Sequence, residues 1–189
     1  LDKLRNTLRT TLIDIWEYVI PIWKISGLFK SIKSKKDLEN FIQERSAHVS
    51  QTTLYGYLKT RIGVKYIAMM EDEIFLKSIN IAKWNIYVVA LSDCAFYVFS
   101  YLISEKNLKD NDCKETFLNI LENEKKNGLS DEIFDRGKKN FLERLDKVNF
   151  SNYHLNDPFK ESGQALYYWS PIADELKSLD KKIVLNSIH

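Results

Sequence analysis

The stretch from Glu71 to Ser104, EDEIFLKSINIAKWNIYVVALSDCAFYVFSYLIS, contains neither glycine nor proline, and its reading decides the fold. Asp72 and Glu73 near its start favour a helix N-terminus, where the macrodipole is positive. From Trp84 to Ile103 it carries a single charge, Asp93. By length alone those residues suffice to span a bilayer. Asn85, Ser92, Asp93 and Ser100 argue against it, since an aspartate near mid-bilayer costs about 2.5–3.5 kcal/mol on insertion scales. A helix apolar nearly all round is also what the centre of a helical bundle requires. The stretch is therefore expected to be the buried central helix of an all-α domain.

Outward from it, punctuation is sparse, with three prolines and six glycines in 189 residues. A strand-rich sandwich would need many more turn signals. Upstream, Leu4, Leu8, Leu12, Ile15 and Val19 recur at helical spacing until Pro21 interrupts them. Ile22 to Phe29 stays apolar and then meets a lysine cluster. Ser34 with Asp37 reads as a capping box, and Leu38, Phe41, Ile42 and Val49 mark one face of the helix behind it. Gly56 and Gly63 punctuate TLYGYLKTRIG, which still reads as mostly helical.

Downstream, a loop at residues 105–112 precedes a D-x-x-E start at Asp112 and Glu115, followed by Phe117, Ile120 and Leu121. Gly128 stands where a C-terminal glycine cap belongs. Ser130 caps a helix whose Ile133, Phe134, Phe141, Leu145 and Val148 repeat at three and four residues. Residues 149–163 read as irregular. Ser170-Pro171 has the form of a helix start, with Asp174 and Glu175 near the dipole's positive end. Ile172, Leu176, Leu179, Ile183 and Ile188 are expected on that helix's buried face. The sum is a single all-α domain over residues 1–189, a bundle of roughly six to eight amphipathic helices. Residues 1–33 form its docking or peripheral segment.

Formal charge is +2, with 28 Lys and Arg against 26 Asp and Glu. It divides unevenly: residues 1–66 hold twelve basic and six acidic side chains, +6, which leaves −4 for the remainder. Lys30, Lys33, Lys35 and Lys36 form the densest basic cluster. It suits contact with an anionic or membrane surface, although a solvated loop explains it more simply. Trp16, Tyr18, Trp23, Leu28 and Phe29 suit a lipid interface too, but Asp14 and Glu17 weaken that reading. Cys94 and Cys113 are not a disulfide framework, and the cytoplasm or another reducing compartment is the expectation. No signal peptide is evident. The chain begins at Leu1 rather than methionine, which leaves room for a removed targeting segment.

The common catalytic signatures are absent: G-x-S-x-G, the P-loop, G-x-G-x-x-G, H-E-x-x-H and C-x-x-C. With His48, His154 and His189 as its histidines, the chain carries no Glu-x-x-His pair and no expected metal or cofactor. Asp93 is the foremost candidate residue. Flanked by Leu91, Cys94, Ala95 and Phe96, it is either an acid with a raised pKa or a structural aspartate paired with a tyrosine hydroxyl or a basic side chain. Tyr55, Tyr57, Lys59, Arg61, Lys65 and Tyr66 interleave aromatic and basic groups as nucleic-acid surfaces do. Leu54, Leu58 and Ile62 explain the same segment as a helix with its basic groups in water, so nucleic acid is not the expected partner. Tyr167 and Trp169, beside Tyr168, could line a pocket with Lys160, Glu161 and Gln164, or anchor a loop to the core. Ser151 and His154, three apart in a loop, are a weak nucleophile and base.

The segments TLYGYLKTRIG, INIAKW…LSD and SPIADELKSLDKKIVLNSI resemble an uncharacterised bacterial all-helical family, some of whose members carry an automatic label of esterase. The resemblance spans about Thr53 to Ile188 and implies an all-helical fold, but supplies no active-site residues. The label fits poorly with a chain that has no nucleophile elbow and no strands for a hydrolase sheet. The expected function is a non-enzymatic interaction protein, an assembly factor or accessory subunit with a protein partner. Ten Tyr, ten Phe and four Trp offer interface anchors for it. A small hydrolase using Asp93 or the Tyr167 region, or an apolar-ligand carrier, is the alternative.

Overall fold

The computed structural model describes residues 32–106, 108 and 111–185. Six helices of ten residues or more run through them. They are α1 (Lys35–Ile62), α2 (Glu73–Lys106), α3 (Cys113–Lys125), α4 (Asp131–Leu145), α5 (Lys160–Trp169) and α6 (Asp174–Leu185). No strand occurs among the described residues, and the protein is an all-α bundle. The chain divides into two compact units, Leu1–Leu38 and Glu39–His189. Of the first, only Ile32–Leu38 is described, and the expected helices over residues 3–20 and 22–29 lie outside the described residues, as does Ile188.

Local signals placed most helix ends. Ser34 Oγ accepts from Asp37 N at 3.1 Å while Asp37 Oδ2 accepts from Ser34 N at 3.0 Å, a reciprocal capping box at the start of α1. Gly56 does not break α1, which runs unbroken to Ile62 before Gly63 turns the chain at φ +60°. Gly128, at φ +101°, ends α3, and Leu129 N returns to Glu124 O at 3.1 Å. Ser130 Oγ accepts from Ile133 N and caps α4.

The central helix is α2. Of its most apolar window, 72% is buried within the fold, so a helix long and apolar enough to cross a membrane serves here as the core. Phe96 on α2, Phe141 on α4 and Phe117 on α3 stack face to face, with centroid distances of 4.9 Å and 3.8 Å. A second cluster joins Leu54 and Leu58 of α1, Ile79, Ala82 and Ile86 of α2, Leu166 of α5 and Val184 of α6. Two glycines set the spacing. A Cβ on Gly137 of α4 would meet a methyl of Val88 on α2, and one on Gly163 of α5 would meet the carbonyl oxygen of Leu185 on α6.

Four expectations are corrected. Ser170 ends α5 rather than starting α6, because its hydroxyl donates to Leu166 O at 2.6 Å; α6 begins at Asp174. The buried face of α6 is Lys177, Asp180 and Val184, whereas Leu176 and Leu179 face solvent. Val49 also points outward, and the buried stripe of α1 is Ile42, Ser46, Ser50, Leu54 and Leu58. Residues 149–163 are irregular only as far as Phe159, where α5 takes over.

Gly163→Ala should destabilise the fold by about 1–3 kcal/mol, since the Leu185 backbone cannot swing aside as a side chain could. Gly56→Ala, with nothing within 4 Å of the new methyl, should stabilise by about 0.5–1 kcal/mol. Urea denaturation of the two variants giving shifts of the same sign would refute this packing.

Burial pushes the Cys94 thiol up to about 11, and raises that of Cys113 as well. In the unfolded chain both ionise near their ordinary value of 9.0. The unfolded state therefore binds fewer protons above that value, and stability falls as pH rises from about 9 to about 11. Each thiol contributes a slope of about 1.4 kcal/mol per pH unit. Urea midpoints should fall more steeply across this window in the wild type than in Cys94→Ala/Cys113→Ala; equal slopes would contradict it.

Candidate functional site

Asp93 sits on the buried side of α2 with no exposed side-chain surface. The first residues of α5 explain what it does. Phe159 at the N-cap has no side-chain acceptor to offer, which leaves early amides of α5 in need of partners. Asp93 supplies one from the neighbouring helix. Its Oδ2 accepts from Ser162 N at 2.8 Å and from Ser162 Oγ at 2.5 Å, an N-cap provided across the helix interface. Its other oxygen accepts from Arg144 Nη2, in the last turn of α4, at 2.5 Å.

Arg144 continues the network. Its Nη1 donates to Ser92 Oγ at 3.1 Å, and its guanidinium lies over the Phe96 ring at 5.1 Å. Tyr153 OH accepts from Arg144 Nη2 at 3.2 Å and donates to Pro158 O at 2.7 Å. Burial pushes the Asp93 carboxyl up, against the pull of Arg144 and Ser162. Burial also works against the charge of Arg144, but the carboxylate outweighs it and raises the guanidinium's pKa. Both Asp93 oxygens face donors, which is the environment of a carboxylate rather than of a protonated acid.

A second polar knot ties α2 to the segment before α5. Ser100 Oγ donates to Phe150 O at 2.8 Å and accepts from His154 N at 3.1 Å, with His154 Nδ1 2.9 Å away. His154 Nε2 lies 3.9 Å from Glu105. A serine, a histidine and a glutamate are thus in a row, but Ser100 is fully buried and its hydroxyl is shared between the Phe150 carbonyl and the histidine. The arrangement pins a loop. Ser151 takes no part in it; its amide donates to Asn149 Oδ1 at 3.0 Å.

The other candidates gather elsewhere. Tyr55, Tyr167 and Trp169 are half-buried around the cluster of Leu54, Leu58, Ile86, Leu166 and Val184. Arg61 does not point to water: through Nε and Nη2 it grips Asp180 of α6, which also accepts from Tyr57 OH at 3.3 Å. Arg136 stacks over Trp169 at 5.2 Å and donates to Asn85 Oδ1. Lys59 and Lys65 remain exposed, while Tyr66 is buried. Lys33, Lys35 and Lys36 are exposed at the start of α1, and Lys30 lies outside the described residues. A depression of about 460 Å³ runs along α4 between Asp135, Lys138, Lys139, Leu142, Glu143 and Asp146, and none of the candidates lines it.

Among the described residues, no three His, Cys, Asp or Glu side chains converge to hold an ion, and Thr116 Oγ1 is the one buried side-chain polar atom without a partner. No family model, curated protein or solved structure matches the chain.

Asp93→Leu should cost about 3–5 kcal/mol by stranding Arg144 and uncapping α5. Adding Arg144→Met should recover part of that loss, because it removes the unpaired charge but not the missing cap. Urea titration reads both variants, and a loss below about 1 kcal/mol for Asp93→Leu would show that the network does not hold these helices together.

Proposed function

We propose that the chain is a non-enzymatic interaction protein, an assembly factor or accessory subunit that binds another protein. The observation that carries this reading is the corner between α1 and α2. There Val64 is 99% exposed, Ile74 79% and Ile67 50%, although none of the three is needed outside to complete the core. Apolar side chains within eleven residues of chain and held in water are candidates for a contact surface, worth about 1.5–3 kcal/mol each when a partner covers them fully.

The polar interior supports the same reading. The carboxylate, guanidinium and hydroxyl groups around Asp93 are matched to one another, which leaves them fixed rather than available to a substrate. The hydrolase reading has its nearest geometry at Ser100 and His154, where the hydroxyl is buried and donates to a carbonyl. Phe96, Phe117 and Phe141 are committed to the core stack, and the exposed aliphatic residues of this corner are the interface anchors in this reading.

Affinity capture of the tagged chain from its own cells, followed by mass spectrometry, tests the proposal. A stoichiometric protein partner should co-purify, and Val64→Glu/Ile74→Glu should reduce its recovery about tenfold or more. The melting temperature should stay within about 2 °C, as expected for exposed positions. Recovery unchanged by the double variant, or no partner at all, would overturn the assignment.

A further inference from the structure

Apart from that corner, α6 presents an outer face built in an unusual order. Its inward side carries Lys177, Asp180 and Val184, with Asp180 held by Arg61 and Tyr57, so the orientation of the helix is fixed. The opposite line, at the i, i+4 and i+7 spacing of a single helix face, reads Glu175, Leu179, Lys182. Leu179 is 76% exposed, and Leu176 beside it is 46% exposed. Glu175 and Lys182 are both exposed and have no ion-pair partner among the described residues, unlike Asp174, which pairs with Lys177 at 2.9 Å.

An acidic residue, a leucine and a basic residue in that order are complementary to the same sequence read backwards. We propose that the outer face of α6 binds a second copy of this chain, the two helices antiparallel about a two-fold axis at Leu179. Glu175 then faces Lys182 of the partner subunit, Lys182 faces Glu175 of the partner subunit, and the leucines pack between the two ion pairs. Such an interface is isologous and closes on itself, leaving no face to propagate. Antiparallel packing also opposes the two helix dipoles favourably. The formal net charge of +2 sets up little long-range repulsion between copies. A helix of 12 residues offers a face only about 18 Å long, so the association is weak and reversible, at the small end of specific interfaces.

Sedimentation velocity of the full chain, from about 1 µM to about 1 mM, tests this over the range where weak dimers form. The mass should move from 22.2 kDa toward twice that value as concentration rises. Leu179→Asp should abolish the shift. Glu175→Lys and Lys182→Glu, each placing like charges opposite one another, should each weaken association about tenfold or more. The exchange variant Glu175→Lys/Lys182→Glu should restore it, which a chance hydrophobic contact or an unrelated partner site would not do. A monomer at every concentration, association indifferent to Leu179→Asp, or an exchange variant no tighter than the single variants would each overturn the proposal. The substituted positions are exposed, so unchanged far-UV circular dichroism is expected throughout.

Discussion

A carboxylate without water is the constraint around which this bundle is arranged. Asp93 lies in the middle of the longest and most apolar helix, where an unpaired charge would cost several kcal/mol. The surroundings supply the guanidinium of Arg144 and both the amide and the hydroxyl of Ser162, with Tyr153 OH a further 3.4 Å contact. In meeting that requirement they fix where α4 ends, where α5 begins and how both lie against α2. Tyr153 ties the intervening loop into the same set through Arg144 and Pro158 O. One buried charge therefore sets the relation of three helices and the segment that joins two of them.

Close approach then completes what the polar network begins. The Phe96–Phe141–Phe117 stack requires α2, α3 and α4 to converge on one line. Gly137 lets α4 come down onto Val88, and Gly163 lets α5 meet the end of α6 at backbone distance. On the other side of α2, Glu124 of α3 accepts from Tyr87 OH at 2.6 Å and from Gln43 Nε2 at 2.7 Å, so α1, α2 and α3 share one acceptor. These contacts use buried polar groups as positional pins, each satisfied by a group distant in sequence.

That allocation bears on function. The polar groups around Asp93 and Ser100 are turned inward and matched, while several aliphatic side chains are turned outward. Val64 and Ile74 at one corner, and Leu179 on α6, gain nothing for the isolated fold where they stand. Such surfaces are what the proposed interaction role draws on, with affinity resting on a few buried anchors within a modest area.

The sequence by itself determined what depends on near neighbours. The capping box at Ser34 and Asp37, the glycine turns at Gly63 and Gly128, the Ser130 cap and the central apolar helix all arise within a few residues of chain, and all were legible there. It also singled out Asp93 as either paired or protonated, since an aspartate in an apolar run must be one or the other. Which partner could not be read, since Arg144 and Ser162 lie 51 and 69 positions away. The same limit explains α6. Hydrophobic spacing put Leu176 and Leu179 inside, but Arg61 and Tyr57, brought from the far end of α1, bind Asp180 and turn the opposite face to the core. Ser170 looked like a cap and became a terminus, because a serine hydroxyl can serve either helix beside it and only the surrounding backbone chooses. Local backbone chemistry fixed the helices; the matching of buried charge across long stretches of chain decided how they face one another.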